Sequence, residues 1–214
     1  MKTKKIHFYS AYLNRGGACI ACDSLFNAFL DNFDEFKISR SSFYMNGKVI
    51  LKNEFLRLLG KGISIPTHQS QFYIPHSSLN RQTQTHEDAL VHAHWLNNIP
   101  INSIPKCKAL ILTAHDQWLF NNGWAWDPYS LNSPTKQLEK RIEKISKIIR
   151  NYPTPIDYLR NNYPLKKVIA PSAWLKKYIL HKTNLRNEEV QVIPNIINSS
   201  FFNFDQELLS LIHI

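Results

Sequence analysis

A chain of 214 residues with 43% hydrophobic and 12% aromatic side chains has the material for one large packed domain, or one domain with a tail. No run reaches the roughly eighteen apolar residues of a membrane span. The formal charge of +10 excludes an acidic, solvating chain, and it is unevenly placed: residues 136–182 hold twelve Lys/Arg against Glu139, Glu143 and Asp157, a net of +9. Such a stretch suits a surface that meets phosphate, whether of lipid, nucleotide or nucleic acid; a solvated helix face is the plainer reading.

In chain order, the basic start at residues 1–5 resembles that of a signal peptide, but His7, Ser10 and Tyr12 interrupt the apolar residues after it. Residues 5–11 therefore read as a buried first strand, and a cytoplasmic location is the expectation. Asn14, Arg15, Gly16 and Gly17 make a turn. Ala18, Ala21, Leu25, Ala28 and Phe29 then recur at helical spacing. Cys19 and Cys22 form a C-x-x-C inside that helix without a second ligand pair, which favours two small buried thiols over a redox or zinc motif. Residues 36–44 read as a second strand and 53–59 as a short helix. Residues 60–87, poor in aliphatics, read as a long functional loop. Further apolar strands are expected at 89–95 and 109–113, followed by an aromatic-rich loop at 117–132. Ser133 and Pro134 open a helix carrying Leu138, Ile142, Ile145 and Ile149 on one face, and Pro153 and Pro155 end it. A strand at 167–170, a helix capped by Ser172 and a strand at 189–193 complete an alternating strand–helix pattern, the signature of an α/β fold with a parallel sheet.

Candidate site residues cluster at strand ends, where α/β folds place ligand sites. Gly16 and Gly17 precede a helix N-terminus, which presents N–H groups to a phosphate; a tight turn between strand and helix is the alternative. His92 and His94 share one face of their strand while Val91, Ala93 and Trp95 take the other. His115 and Asp116 follow the next strand in the same way. Zinc is chemically adequate for three histidines but lacks a Cys or Glu partner at a recognised spacing, so no metal is expected. A polar substrate site is the stronger reading, and satisfied core histidines are the other. Trp118 and its aromatic neighbours stack on sugars or bases, sit at a lipid interface, or pack on themselves.

Five segments in order, GGA at 16–18, VHAHWLN at 91–97, LTAHDQWLF at 112–120, IAPSAWL at 169–175 and VIPN at 192–195, resemble the N-terminal half of family 4 glycosyltransferases of the GT-B fold. The similarity is greatest to the group that builds bacterial surface polysaccharide. It implies a single Rossmann-like doubly wound sheet over 1–198, with 199–214 as linker remnant or tail. It implies hexosyl transfer from a nucleotide sugar, as substrate and not cofactor, to a glycan or lipid-linked acceptor. His115 and Asp116 take the catalytic place; Gly16 and Gly17 lie beside the donor diphosphate; His94, Trp95, Asn97, Trp118, Ser172 and Asn195 line the cleft. In such enzymes a second domain holds the nucleotide sugar with a basic pair and two glutamates eight residues apart. No two glutamates here have that spacing, and Ile196 stands where glycine is usual after Pro-Asn. The expectation is thus an acceptor-side half that is inactive alone and binds nucleotide sugar only when a donor domain is supplied. Its location would be cytoplasmic, peripheral on the inner membrane face through 136–182. A non-catalytic partner of a split glycosyltransferase is the second reading. A basic nucleic-acid-binding domain is the third, ranked last because no such motif supports it.

Overall fold

The first strand, β1, spans Lys4–Ser10, and its alternation sends Ile6 and Phe8 to one face and His7 and Tyr9 to the other. In the computed structural model, residues 4–13, 16–43, 65–66, 71–72, 85–96, 101–120 and 154–196 are described. Helix α1 (Gly17–Asn32) leads to β2 (Phe36–Ser42). Two-residue strands β3 (Ile65–Pro66) and β4 (Gln71–Phe72) pair antiparallel apart from the main sheet. Next come β5 (Thr85–His94), β6 (Lys106–Thr113), α2 (Pro155–Asn162), β7 (Leu165–Ala170), α3 (Ala173–Lys182) and β8 (Val190–Val192).

Six strands form one sheet in the order β2-β1-β5-β6-β7-β8, and every pairing in it is parallel. This is the α/β, Rossmann-like arrangement that the alternating pattern predicts. Right-handed crossovers put α1, which steps toward β2, on one face and the connections stepping toward β8 on the other. The main core lies on that second face. There Tyr9, Val91, Ala93, Leu110, Leu112, Val168 and Ala170 pack against Trp118, Ile156, Leu159, Leu175 and Ile179. On the first face α1 sets Phe26 and Phe29 edge-on to Phe8. Asp23 of α1, almost fully buried, accepts a hydrogen bond from Arg40 of β2 at 2.7 Å, fixing the helix to the sheet edge.

Several expectations change. Pro155, expected to end a helix, opens α2 as its first residue, with Thr154 Oγ1 accepting from Asp157 N. A Thr-Pro start with an acid two residues on is the usual sign of a helix beginning. Strand β5 starts at Thr85, so the last three residues of the expected 60–87 loop belong to the sheet, and that span also contains the β3–β4 pair. The expected helices at 53–59 and 133–149 and the tail at 199–214 lie outside the described residues. Cys19 and Cys22 are buried on α1, and burial raises both thiols above their ordinary range, so they sit as neutral packing groups.

Candidate functional site

The strand order reverses between β1 and β5: from β1 the chain steps to β2 on one side and later returns to β5 on the other. Outside the C-terminal ends of such a pair the loops diverge and leave a crevice. Gly16 and Gly17 stand at the end of β1, and His94 ends β5 as the register partner of Ser10. His115 comes after β6, in which Thr113 is the register partner of His94. Four of the residues singled out by sequence therefore share one edge.

Gly16 adopts φ 80° and ψ 156°, a region essentially reserved for glycine, and it caps α1 with no side-chain hydrogen bond. Among the described residues nothing lies within 4 Å of where a Cβ would stand on Gly16 or Gly17, so they leave that side of the turn open. The first turn of α1 carries no acidic residue, which leaves its N–H groups and positive dipole end available to an anion. The two glycines differ in a testable way. Gly16→Ala should cost roughly 1–3 kcal/mol from backbone strain alone. Gly17→Ala, inside the helix and unobstructed, should be neutral or stabilising by up to about 1 kcal/mol. Urea unfolding of the two variants checks this; equal effects would mean that Gly16 carries no strain.

The histidines form a stack with unequal members. His92 Nε2 lies 2.8 Å from Thr113 Oγ1, and the buried imidazole is a satisfied core group. His94 and His115 share a hydrogen bond of 3.2 Å between Nδ1 and Nε2, and the His92 and His94 rings lie 4.3 Å apart. Burial drives all three pKa values down: His92 to about 3, with the His115 charge adding to it; His115 to about 4; and His94 well below its usual value, with His92 and His115 adding. At neutral pH the stack is uncharged. It can exchange hydrogen bonds with hydroxyls but cannot serve as a cation. Among the described residues no group of three His, Cys, Asp or Glu is arranged to hold a metal.

The other expected positions separate. Trp95 takes φ 39°, a strained left-handed conformation for a bulky residue, directly after β5, with its ring 5.9 Å from that of Tyr12. Asp116 Oδ1 accepts from Trp118 N at 2.9 Å, closing a turn, and the imidazole partner of His115 is His94. Trp118 departs most from expectation. It is 0% exposed in the main core, so stacking on a sugar face is closed to it. Ser172 Oγ accepts from Leu175 N as the cap of α3, as expected, at the end of β7. Asn195 is exposed after β8; Asn97 lies outside the described residues.

Two features went unforeseen. Three buried polar atoms in this region, His94 Nε2, Gln117 Oε1 and Trp118 Nε1, have no hydrogen-bond partner among the described residues. Such orphans are rare in native folds. Gln117 and Trp118 sit inside the LTAHDQWLF segment, but only burial reveals their unmet bonds. Second, Trp174 is 59% exposed at the start of α3, nearly parallel to Tyr178 at 5.9 Å, with Lys182 Nζ over the Tyr178 ring. The spacing of four along a helix was the available signal. Comparison with protein-family models, curated proteins and solved structures finds no match for this chain.

Proposed function

We propose that the chain is the acceptor-side domain of a glycosyltransferase that moves a hexosyl group from a nucleotide sugar to a glycan or lipid-linked acceptor in surface-polysaccharide synthesis. The observation that carries this reading is the placement, at the sheet's reversal point, of a glycine turn before a helix with no side-chain cap and of a neutral His94–His115 pair. A retaining transfer asks little of the protein beyond placement and stabilisation of the departing phosphate charge. The start of α1 suits the diphosphate. The paired imidazoles suit sugar or acceptor hydroxyls, which donate and accept in turn. Asp116, with one oxygen in its turn, holds the backbone that carries His115. The resemblance of the five segments supplies the reaction class; the site's chemistry is compatible with it.

Peripheral membrane contact is part of the same proposal. Lys166, Lys167, Lys177 and Lys182 are exposed, and the Trp174–Tyr178–Lys182 ladder combines an aromatic face with a cation, as membrane-interface helices do. No helix among the described residues is long and apolar enough to cross a membrane.

The test uses the 214 residues with and without a donor-binding domain. Alone they should release no nucleotide from sugar donors. With such a domain supplied, release should appear, and His115→Ala should remove it by at least about a hundredfold, the usual scale for a group acting directly in transfer. The variant should still melt as a folded protein. Turnover by this chain alone, or full activity of His115→Ala in the assembled pair, would overturn the reading.

A further inference from the structure

Among the described residues, the face of the sheet that carries α1 is only partly covered. Among the described residues α1 is the sole helix on that side, and between it and the chain leaving β8 runs a cavity of about 380 Å³. Its floor is Phe8, Leu90, Ile111 and Ile169; Leu25 and Phe29 of α1 form one wall, and Ile193 and Ile196 the other. Ile193 and Ile196 are 43% and 44% exposed, so the groove is open along that side. Its length runs along the strands from His94 back past Leu90, about 13 Å at the rise of a β-strand. The volume equals that of roughly a dozen waters, yet the apolar lining gives water almost no partners.

One end differs from the rest. His92, His94 and Thr113 close the groove at the sheet's C-terminal edge, and exposed Asn195 lies in the open wall beside Ile193 and Ile196. His92 and Thr113 satisfy each other, whereas His94, 2% exposed, uses only Nδ1, on His115, and leaves Nε2 without a partner. A buried imidazole nitrogen left unbonded is destabilising, and a ligand would remove that penalty by supplying the missing bond. The tautomer of His94 decides whether Nε2 donates or accepts. A hydroxyl does either.

We infer that this groove binds an aliphatic alcohol: a hydrocarbon chain of about a dozen heavy atoms laid along Leu90, Ile111 and Ile169, with its terminal hydroxyl on His94 Nε2. The apolar length supplies affinity and the single polar end sets direction, which is the usual composition of a small-molecule site. In a glycosyl-transfer setting the hydroxyl would lie beside the His94–His115 pair as the acceptor oxygen. Binding is measured without transfer, so the two ideas fail separately.

The experiment is calorimetric titration of the full chain with n-decanol, n-decane and n-butanol. n-Decanol should bind saturably and about tenfold more tightly than n-decane, the factor that one hydrogen bond supplies; n-butanol should bind more weakly still. His94→Phe, which keeps an aromatic ring and removes both nitrogens, should abolish the alcohol's advantage and leave n-decanol binding no more tightly than n-decane, because its buried hydroxyl then has no partner. Should that variant fail to fold, Ile193→Trp provides a second route: it fills the exposed mouth without touching the core and should weaken n-decanol by about tenfold or more. Absence of saturable binding, equal affinity for alcohol and alkane in the unaltered chain, or binding indifferent to Ile193→Trp would overturn the proposal. So would binding that appears only after residues 197–214 are removed, because the chain itself would then be the occupant.

Discussion

Lowering the pH from about 7.5 to about 4.5 should unfold this protein. Four histidines are held neutral by burial. His7 is lowered to about 4, with the neighbouring His86 adding to the effect; His115 is lowered to about 4, His92 to about 3, and His94 in the same direction. His7 has both ring nitrogens on serines, Ser39 Oγ at 2.9 Å and Ser41 Oγ at 2.8 Å, and its ring stacks on His86 at 3.8 Å. Each folded-state pKa lies below the unfolded value of 6.5, so between 6.5 and about 4 the unfolded chain binds more protons than the folded one. Stability is therefore fully present above 6.5 and falls as pH drops through that window. His7, His92 and His115 each withdraw roughly 2–3 kcal/mol by pH 4.5, His94 acts in the same direction, and together they approach the whole stability of an ordinary domain, about 5–15 kcal/mol. Urea titrations across this range measure the slope directly. His7→Asn, which keeps a hydrogen-bonding side chain for the serines, should flatten the slope by about one proton. A stability that stays level from pH 7.5 to 5 would show that these imidazoles are not held neutral by the fold.

Trp118→Ala should lower stability by roughly 3–5 kcal/mol, the usual cost of emptying a large aromatic site in a core. Trp118 is fully buried in the cluster with Ile156 and Leu159 of α2, so the cavity would open beneath that helix. For a chain of this size the melting temperature should fall by about 10 °C. Trp118→Phe, which keeps most of the volume, should recover much of the loss. The alternative role, a ring stacked on a sugar, predicts the reverse pattern: an unchanged melt with weakened glycan binding. Thermal melts beside glycan titrations separate the two.

The contrast between Trp118 and the histidines shows what the sequence could convey. That His92 and His94 share a face comes from the two-residue period of a strand, a local property, and the structure agrees. Trp118 lies after a strand end and close to Asn121 and Asn122, a composition that looks like a loop. Its burial is decided by α2, whose residues come more than thirty positions later. Pro155 was ambiguous for a simpler reason, because proline both ends helices and begins them, and only Thr154 before it resolves the choice. The groove was not legible at all. In β6, Leu110, Ile111 and Leu112 form a continuous apolar run, as strands buried on both faces do, so periodicity cannot show that among the described residues one face is covered by α1 alone. That depends on strand order, which places every step beyond β1 on the same side.

The strand order also sets how the chain must close upon itself. Within β5–β6, His92 and Thr113 meet across 21 residues, and between β1 and β2, His7 and Ser39 meet across 32. The seam between β1 and β5 is of another kind: Lys5 reaches Asp88 across 83 residues. Closure entropy grows only with the logarithm of loop length, about 0.6 kcal/mol per doubling, so two doublings make this seam only about 1.2 kcal/mol dearer than the β5–β6 contact. The reversal point that gathers the glycine turn and the histidines can therefore carry a long connection at small thermodynamic cost. The same long closure must be completed before its contacts stabilise anything, so the crevice rests on the pairing of greatest sequence separation in the described sheet.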